Sequence, residues 1–380
     1  MNENENELSL REPMFRLARD MKQAAADLSL PDARWLVDEY YTLQDARIRS
    51  AHQLRTHSEA GEPHRLIGWV SDTMARFESA LKCSLGHFAG TYRVGQWMQA
   101  QTGIGPVLSA GLLVNFDIRK APTVGHFWRF AGLDPTLLWP GVAAARAKVG
   151  ELGIDKALTP EQIAALSAWS GQHAANIANV WNNGFRSQNG SPTKGKAGLI
   201  KFFSVRPWNH RLKCFCLGRL GHSFNLQRGR ESCFYGQLIA TKQEALWEAN
   251  LSGEFSRVAQ DDLAQKNFGR ATEAFAWKSG QRDPAEVRQL LAAGKSAATA
   301  KKSDCGMPML PPQQIYFRAR RWAVKLYLSH LHRVMYVDFF GKEPPAPFIF
   351  QGGNGDHRHQ IDPPLWPGDY DGRELRKLLV

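Results

Sequence analysis

The chain has 380 residues, 43% of them hydrophobic, and a formal charge of +12. That length suits two or three domains, or one large domain with insertions. The charge favours a polyanion, DNA, RNA or an anionic surface, without choosing among them. No run of about 18 apolar residues occurs, so no membrane-spanning helix is expected. The start, Met1-Asn-Glu-Asn-Glu-Asn-Glu7, lacks the basic and apolar parts of a signal peptide. Five scattered cysteines (Cys83, Cys214, Cys216, Cys233, Cys305) do not form a disulfide framework, and a cytoplasmic setting is expected.

In chain order, residues 1–12 read as a disordered tail and 13–90 as a helical hairpin. Ser29-Leu-Pro-Asp32 is a break and cap before a helix from Ala33, with Leu36, Tyr40, Leu43, Ala46 and Arg47 at helical steps. A second helix, about Arg65 to Phe88, places Ile67, Val70, Met74, Phe77 and Leu81 on one stripe. Such a pair packs within one chain or as a coiled coil between two subunits, so a homodimer is expected through this region.

Residues 91–257 read as a helical domain with an insert at 142–198. Thr123 caps a short helix bearing Phe127, Trp128 and Phe130, and Gly132 ends it. Thr159-Pro-Glu-Gln162 is a capping box opening a helix to about Trp181. Residues 182–198 are turn-formers with interspersed lysines, a loop suited to ordering on a polyanion. Helices follow at Trp208–Asn225 and Gln237–Asn250. Residues 258–340 read as charged C-terminal helices, of which 313–340 is the strongest, and 341–380 as an irregular tail. No alternating strand pattern appears, so the class is mainly α, with a helical hairpin or coiled coil followed by a helix-hairpin-helix-containing domain.

The most telling segment is Gln101-Thr-Gly-Ile-Gly-Pro-Val-Leu-Ser-Ala-Gly-Leu-Leu113. Gly103 and Gly105 tolerate positive φ, and Pro106 suits the first position of a helix. The unpaired amides of that helix start carry partial positive charge and can hold a phosphate. In a basic chain this is the pattern of a helix-hairpin-helix gripping a nucleic-acid backbone. An ordinary helix–helix turn fits the same residues.

Gly103-Ile-Gly-Pro106, Ser109-Ala-Gly-Leu-Leu113, Asp117 and Phe130-Ala-Gly-Leu-Asp-Pro135, followed by Arg206-Pro-Trp-Asn209 and Leu212-Lys213, form a recognisable series. It resembles the C-terminal transposase domain of the DEDD-type, RNA-guided insertion-sequence transposases, over roughly residues 95–140 and 199–225. The resemblance implies a DNA-gripping helical domain and a dimerising coiled coil before it. The family's RuvC-like catalytic domain, over a hundred residues of alternating strands and helices, has no counterpart before the hairpin. Its nucleophilic serine also has none: the matching segment is Asp134-Pro-Thr-Leu-Leu-Trp-Pro-Gly141, where Thr136 is a poor substitute.

The expected DNA-binding residues are therefore Gly103, Ile104, Gly105, Pro106 and Ser109 in the turn, and Lys194, Lys196 and Lys201 in and after the basic loop. To these are added Arg206, Asn209, Arg211 and Lys213 at a helix start, where cations meet phosphates and Asn can read adenine. Arg318, Arg320, Arg321 and Lys325 follow on the late helix, spread over more than one face. No catalytic residue, metal ligand or cofactor is assigned. Cys214-x-Cys216 with His222 and Cys233 is too tightly spaced for the usual zinc pairs. His330 and His332 face apart on a helix, and His357 and His359 near Asp356 suit a metal only if extended. Trp128, Trp139 and Trp208 more commonly fill cores. The function read is a DNA-binding protein of mobile-element or phage origin, with catalysis supplied by a partner in trans. The alternatives are an active recombinase or Mg2+-dependent nuclease using Asp117, Asp134, Asp72 or Glu78, and an RNA-binding ribonucleoprotein component.

Overall fold

Apolar residues at alternating four- and three-residue steps build the first part of the molecule. The structure, a computed structural model, describes residues 20–21, 23–61, 65–186, 190–304, 306–346 and 360–379. The expected 1–12 tail, Cys305 and the Asp356, His357 and His359 group lie outside the described residues. Helix α1 spans Leu30–Ala60 and starts three residues earlier than expected, because Ser29 rather than Asp32 is the cap: its side chain accepts from the Asp32 amide. Helix α2 spans Arg65–Gly90. Tyr40, Gln44 and Arg47 meet Glu78 of α2, so the hairpin packs within the chain.

A polar layer crosses this hairpin. Tyr40 Oη and Gln44 Nε2 donate to Glu78 Oε1 at 3.0 and 3.1 Å, and Arg47 pairs with Oε2. Burial would raise the Glu78 carboxyl, but the bonds from Arg47, Gln44 and Tyr40 outweigh it and hold it below the ordinary range. Glu78 thus takes the inward place expected of Phe77. Phe77 turns outward with Leu66 and Trp69, which are 51%, 59% and 63% exposed.

Helices α3 (Arg93–Ala100) and α4 (Pro106–Asn115) follow, with the glycine turn between them. Next come α5 (Val124–Phe130), α6 (Gly141–Glu151), α7 (Pro160–Ser170), α8 (Ala174–Asn183) and α9 (Gly195–Ser204). The capping box of Thr159 and Gln162 is present at α7. The helix expected to reach Trp181 breaks at Gly171, whose φ is +69° and where a Cβ would lie 1.9 Å from the Thr136 carbonyl oxygen. A side chain there is barred by both conformation and space.

Helix α10 (His210–Cys214) leads through a π-helical turn, Phe215–Leu220, into α11 (Gly221–Leu226). The remaining helices are α12 (Phe234–Leu251), α13 (Ser256–Gln265), α14 (Glu273–Lys278), α15 (Pro284–Ala292) and α16 (Pro312–Phe340). The fold is mainly α. Among the described residues no strand forms, only isolated bridges between Tyr92 and Arg373 and between Phe185 and Thr193. No helix among them is long and apolar enough to cross a membrane.

The chain divides into two compact units, and neither follows the contiguous boundaries expected near 90 and 257. The first draws on residues up to Phe116, on Arg219–Gly341 and on the tail from Ile361; the second on Asp117–Gly218 and the segment from Lys342. The physical reason is long-range packing. The Trp97 indole stacks on Tyr327 of α16 at 6.0 Å and donates to the Pro364 carbonyl at 2.9 Å. The tail is irregular, as its composition implies, yet Leu375 and Leu379 are buried.

Residues 258–305, expected as charged, partly exposed helices, also enclose a core. Trp247, Trp277, Val287, Met309 and Ile315 cluster there, and Lys278 is fully buried. Its ammonium pairs with Asp262 at 2.5 Å and lies 4.4 Å from the Phe268 ring centre. The second unit has its own core of Val149, Ile154, Leu166, Ile177, Leu199 and Phe203.

Candidate nucleic-acid interface

The first unit builds the glycine turn on an aromatic floor. Phe224, Tyr235 and Tyr327 are buried and in mutual ring contact, with centroids 4.9 to 5.5 Å apart. Gly103 rests on this floor at φ +98°, and a Cβ there would come 3.1 Å from Phe224 Cδ1. Ser223 Oγ donates to the Gly103 carbonyl at 2.6 Å, and Cys233 Sγ to that of Thr102 at 3.3 Å. The turn is thus held from below through its carbonyls, so its shape is fixed without a ligand.

Gly105 differs from the expectation for it. Its φ is −90°, an ordinary extended value, and a Cβ there meets nothing within 4 Å. It is the exposed N-cap of α4, and no side chain caps that helix. The Ser109 amide is bonded to the Gly105 carbonyl, while the amides of Gly105, Val107 and Leu108 find no acceptor among the described residues. Such a helix start attracts anions. Ile104 and Ser109 belong to the core instead. Ser109 is fully buried, donates to the Pro106 carbonyl at 2.9 Å and accepts from Gln99 at 3.2 Å. It is occupied and does not serve as the expected phosphate contact.

Two arginines outside the expected set flank this turn. The loop after α11 carries Arg228-Gly-Arg230, all exposed. Gln237 Nε2 donates to the carbonyls of Arg228 and Arg230 at 3.3 and 3.2 Å. Gly236 lies under the loop, where a Cβ would be 2.8 Å from Arg228 Cα and 2.9 Å from Cys233 Sγ. The same cysteine therefore ties both the arginine loop and the glycine turn. The signal was present in the sequence as paired arginines around a glycine at a helix end, but their neighbour lies over a hundred residues away.

On α16 the four basic residues divide. Arg320 stacks on Tyr316 and Phe317 at 5.0 and 4.8 Å, and its stem packs on Gly221. Arg318 lies 4.9 Å from the Phe255 ring centre, and Arg318, Arg321 and Lys325 share a face by spacing. Arg318 and Arg321 are exposed.

The remaining expected residues belong to the second unit. Lys194 and Lys196 are exposed at the start of α9, whereas Lys201 Nζ donates to Thr193 Oγ1 at 2.9 Å. Asn209 caps α10: its side chain accepts from the Leu212 amide at 3.0 Å, and its own amide donates to the Phe130 carbonyl at 3.0 Å. It is a structural cap, not the adenine reader expected at this position. Arg211 is exposed; Lys213 Nζ sits 4.3 Å over Trp208, and Arg206 Cζ 4.5 Å over Trp139. The Trp208 ring lies on Gly132, where a Cβ would be 2.7 Å away and φ is +65°. The Phe130–Pro135 and Arg206–Lys213 segments are therefore in contact.

Of the acidic suspects, Asp117 and Asp134 are engaged locally. Asp117 caps a short helical turn and pairs with Arg119 at 2.9 Å, which holds its carboxyl below the usual range. Asp134 pairs with Arg129 at 3.3 Å and accepts from the Thr136 amide and hydroxyl. Cys216 is buried and burial pushes its thiol far up, while Cys214 faces His210. His330 accepts from Tyr235 Oη at 2.8 Å and donates to the Ile361 carbonyl at 2.8 Å. Among the described residues no three His, Cys, Asp or Glu side chains are grouped to hold a metal ion.

The chain matches no family model, no curated protein and no solved structure.

Proposed function

We propose that this chain is a DNA-binding protein that grips the phosphate backbone at the glycine turn. The observation that carries this reading is the uncapped, exposed start of α4 at Gly105, beside the fastened Arg228-Gly-Arg230 loop. A phosphate oxygen accepts from the free amides, and the two guanidiniums neutralise its neighbours. The turn is prefixed, so ordering it on DNA costs little conformational entropy. Contacts of this kind read no bases, and affinity comes with counterion release.

The likeness to insertion-sequence transposases supports a mobile-element or phage origin, because the two blocks that carry it meet between Phe130 and Asn209. The reading places the protein in the cytoplasm, with strand cleavage supplied by a partner. The outward stripe of Leu66, Trp69 and Phe77 on α2 is the surface through which two copies would pair, since exposed apolar stripes of this kind mark association sites. The test is competition at matched salt among a mixed-sequence duplex, its separate strands and a structured RNA. Preference for the duplex supports the reading. Preference for RNA replaces it with a ribonucleoprotein role, and metal-dependent nicking of plasmid by the pure protein replaces it with a nuclease.

A further inference from the structure

The second unit exposes several large apolar side chains. Phe130, Leu138, Trp139 and Val205 are each between 44% and 52% exposed. They are not scattered: Trp139 Nε1 donates to the Ser204 carbonyl at 2.9 Å, and the Asn209 amide to that of Phe130 at 3.0 Å. Both aromatic residues are thus fastened to the one stretch Ser204–Asn209. Leu138 is held as well, its amide donating to the Ser170 carbonyl at 3.0 Å. The rings are presented on fixed backbone.

Cations accompany them. Arg206 Cζ lies 4.5 Å over the Trp139 ring centre, and Arg206 makes no ion pair among the described residues. Lys213 stands over Trp208 at 4.3 Å, and Arg211 is exposed nearby in sequence. Asp134, the acidic side chain of the Phe130–Pro135 segment, pairs with Arg129. An apolar partner surface would gain nothing from an unpaired guanidinium at its centre. Unpaired nucleobases offer a π-face to the rings and a phosphate to the cation, and satisfy both.

From this we infer that the second unit binds single-stranded nucleic acid, stacking an unpaired base on the Trp139–Arg206 pair while Arg206 and Lys213 meet its phosphates. The inference shares with the reading of the glycine turn only the premise that the chain binds nucleic acid. It concerns other residues and another form of that ligand.

The test uses the full chain, binding labelled dT20, an abasic strand of equal length and U20, beside the same mixed-sequence duplex. Wild type is expected to hold dT20 more tightly than the abasic strand. Trp139→Ala should weaken dT20 binding roughly 5- to 150-fold, the measured range for one stacked base, and leave duplex binding unchanged. Trp139→Phe should restore most of the loss, and Arg206→Ala should lower affinity for dT20 and for the abasic strand. U20 held as well as dT20 means that the site recognises the shared base and phosphate chemistry, and tighter U20 makes RNA the ligand. Equal binding of dT20 and the abasic strand overturns the inference, as does a Trp139→Ala variant with native melting and undiminished dT20 affinity. Should duplex binding fail while dT20 binding depends on Trp139, the glycine-turn reading falls and this one stands. The converse result removes this one alone.

Discussion

Gly105→Asp separates the fold of the glycine turn from its proposed use. Gly105 has φ −90° and ψ 179°, the geometry of a helix N-cap that any residue adopts, and its Cβ position is open. An aspartate there accepts from the amide of Val107 or Leu108 and places a negative charge at the positive end of α4. Relative to glycine the cap adds a few tenths of a kcal/mol and the charge–dipole term about 0.3–1 kcal/mol. The variant should therefore melt at the wild-type temperature or a few degrees higher. The same carboxylate occupies the amides that a phosphate would take. Losing one charge-assisted hydrogen bond costs about 1.5–3 kcal/mol, so duplex affinity should fall roughly 10- to 150-fold. Thermal melting and fluorescence anisotropy with a labelled mixed-sequence duplex measure both quantities on one preparation. A variant that melts as expected and binds DNA like wild type refutes the phosphate role of this turn.

Gly103→Ala is the opposite case: at φ +98° and with Phe224 3.1 Å away, it should lower the melting temperature and lose binding only together with stability. Asp262→Ala strands the buried ammonium of Lys278 and should cost about 3–5 kcal/mol in urea denaturation, whereas Lys278→Met leaves Asp262 with Lys266 at 2.7 Å and should cost far less. Burial pushes His330 down from 6.5 to about 4, so it folds as the neutral imidazole. Its contribution is complete above pH 6.5 and declines as pH falls towards 4, by up to about 3 kcal/mol; denaturation midpoints across that range should fall in wild type and less in His330→Gln. Finally, Trp69→Lys with Leu66→Lys should convert a dimer to a monomer in sedimentation velocity without loss of helix signal; a wild-type monomer would remove the dimer from the account.

Local signals carried well from sequence to structure. The helix hairpin, the capping box at Thr159, the left-handed Gly132 and the long helix α16 each follow from side chains within a few residues of one another. What depends on distant residues did not. Glu78 displaced Phe77 from the hairpin interior because Tyr40, Gln44 and Arg47 lie opposite it, a pairing that no period reveals. Gly171 ended a helix that its own sequence would continue, because the Thr136 backbone stands against it. Of the expected site, Gly105 kept an open position, while Ser109 and Asn209 proved to be spent on internal bonds. Arg228 and Arg230 were missed because their place beside the turn is fixed through Cys233 and Gln237. Trp139 suits a core by its residue type, yet its ring lies half in solvent under Arg206.

The most direct test of backbone gripping is duplex affinity measured over a potassium chloride series for wild type and for Arg228→Ala/Arg230→Ala. Each neutralised phosphate contributes about 0.9 to the slope of log K against log salt. The account predicts tight wild-type binding with a steep negative slope, and a double variant that folds normally, binds more weakly and has a slope shallower by about two. Absent duplex binding, or a slope that the two substitutions leave unchanged, would contradict it.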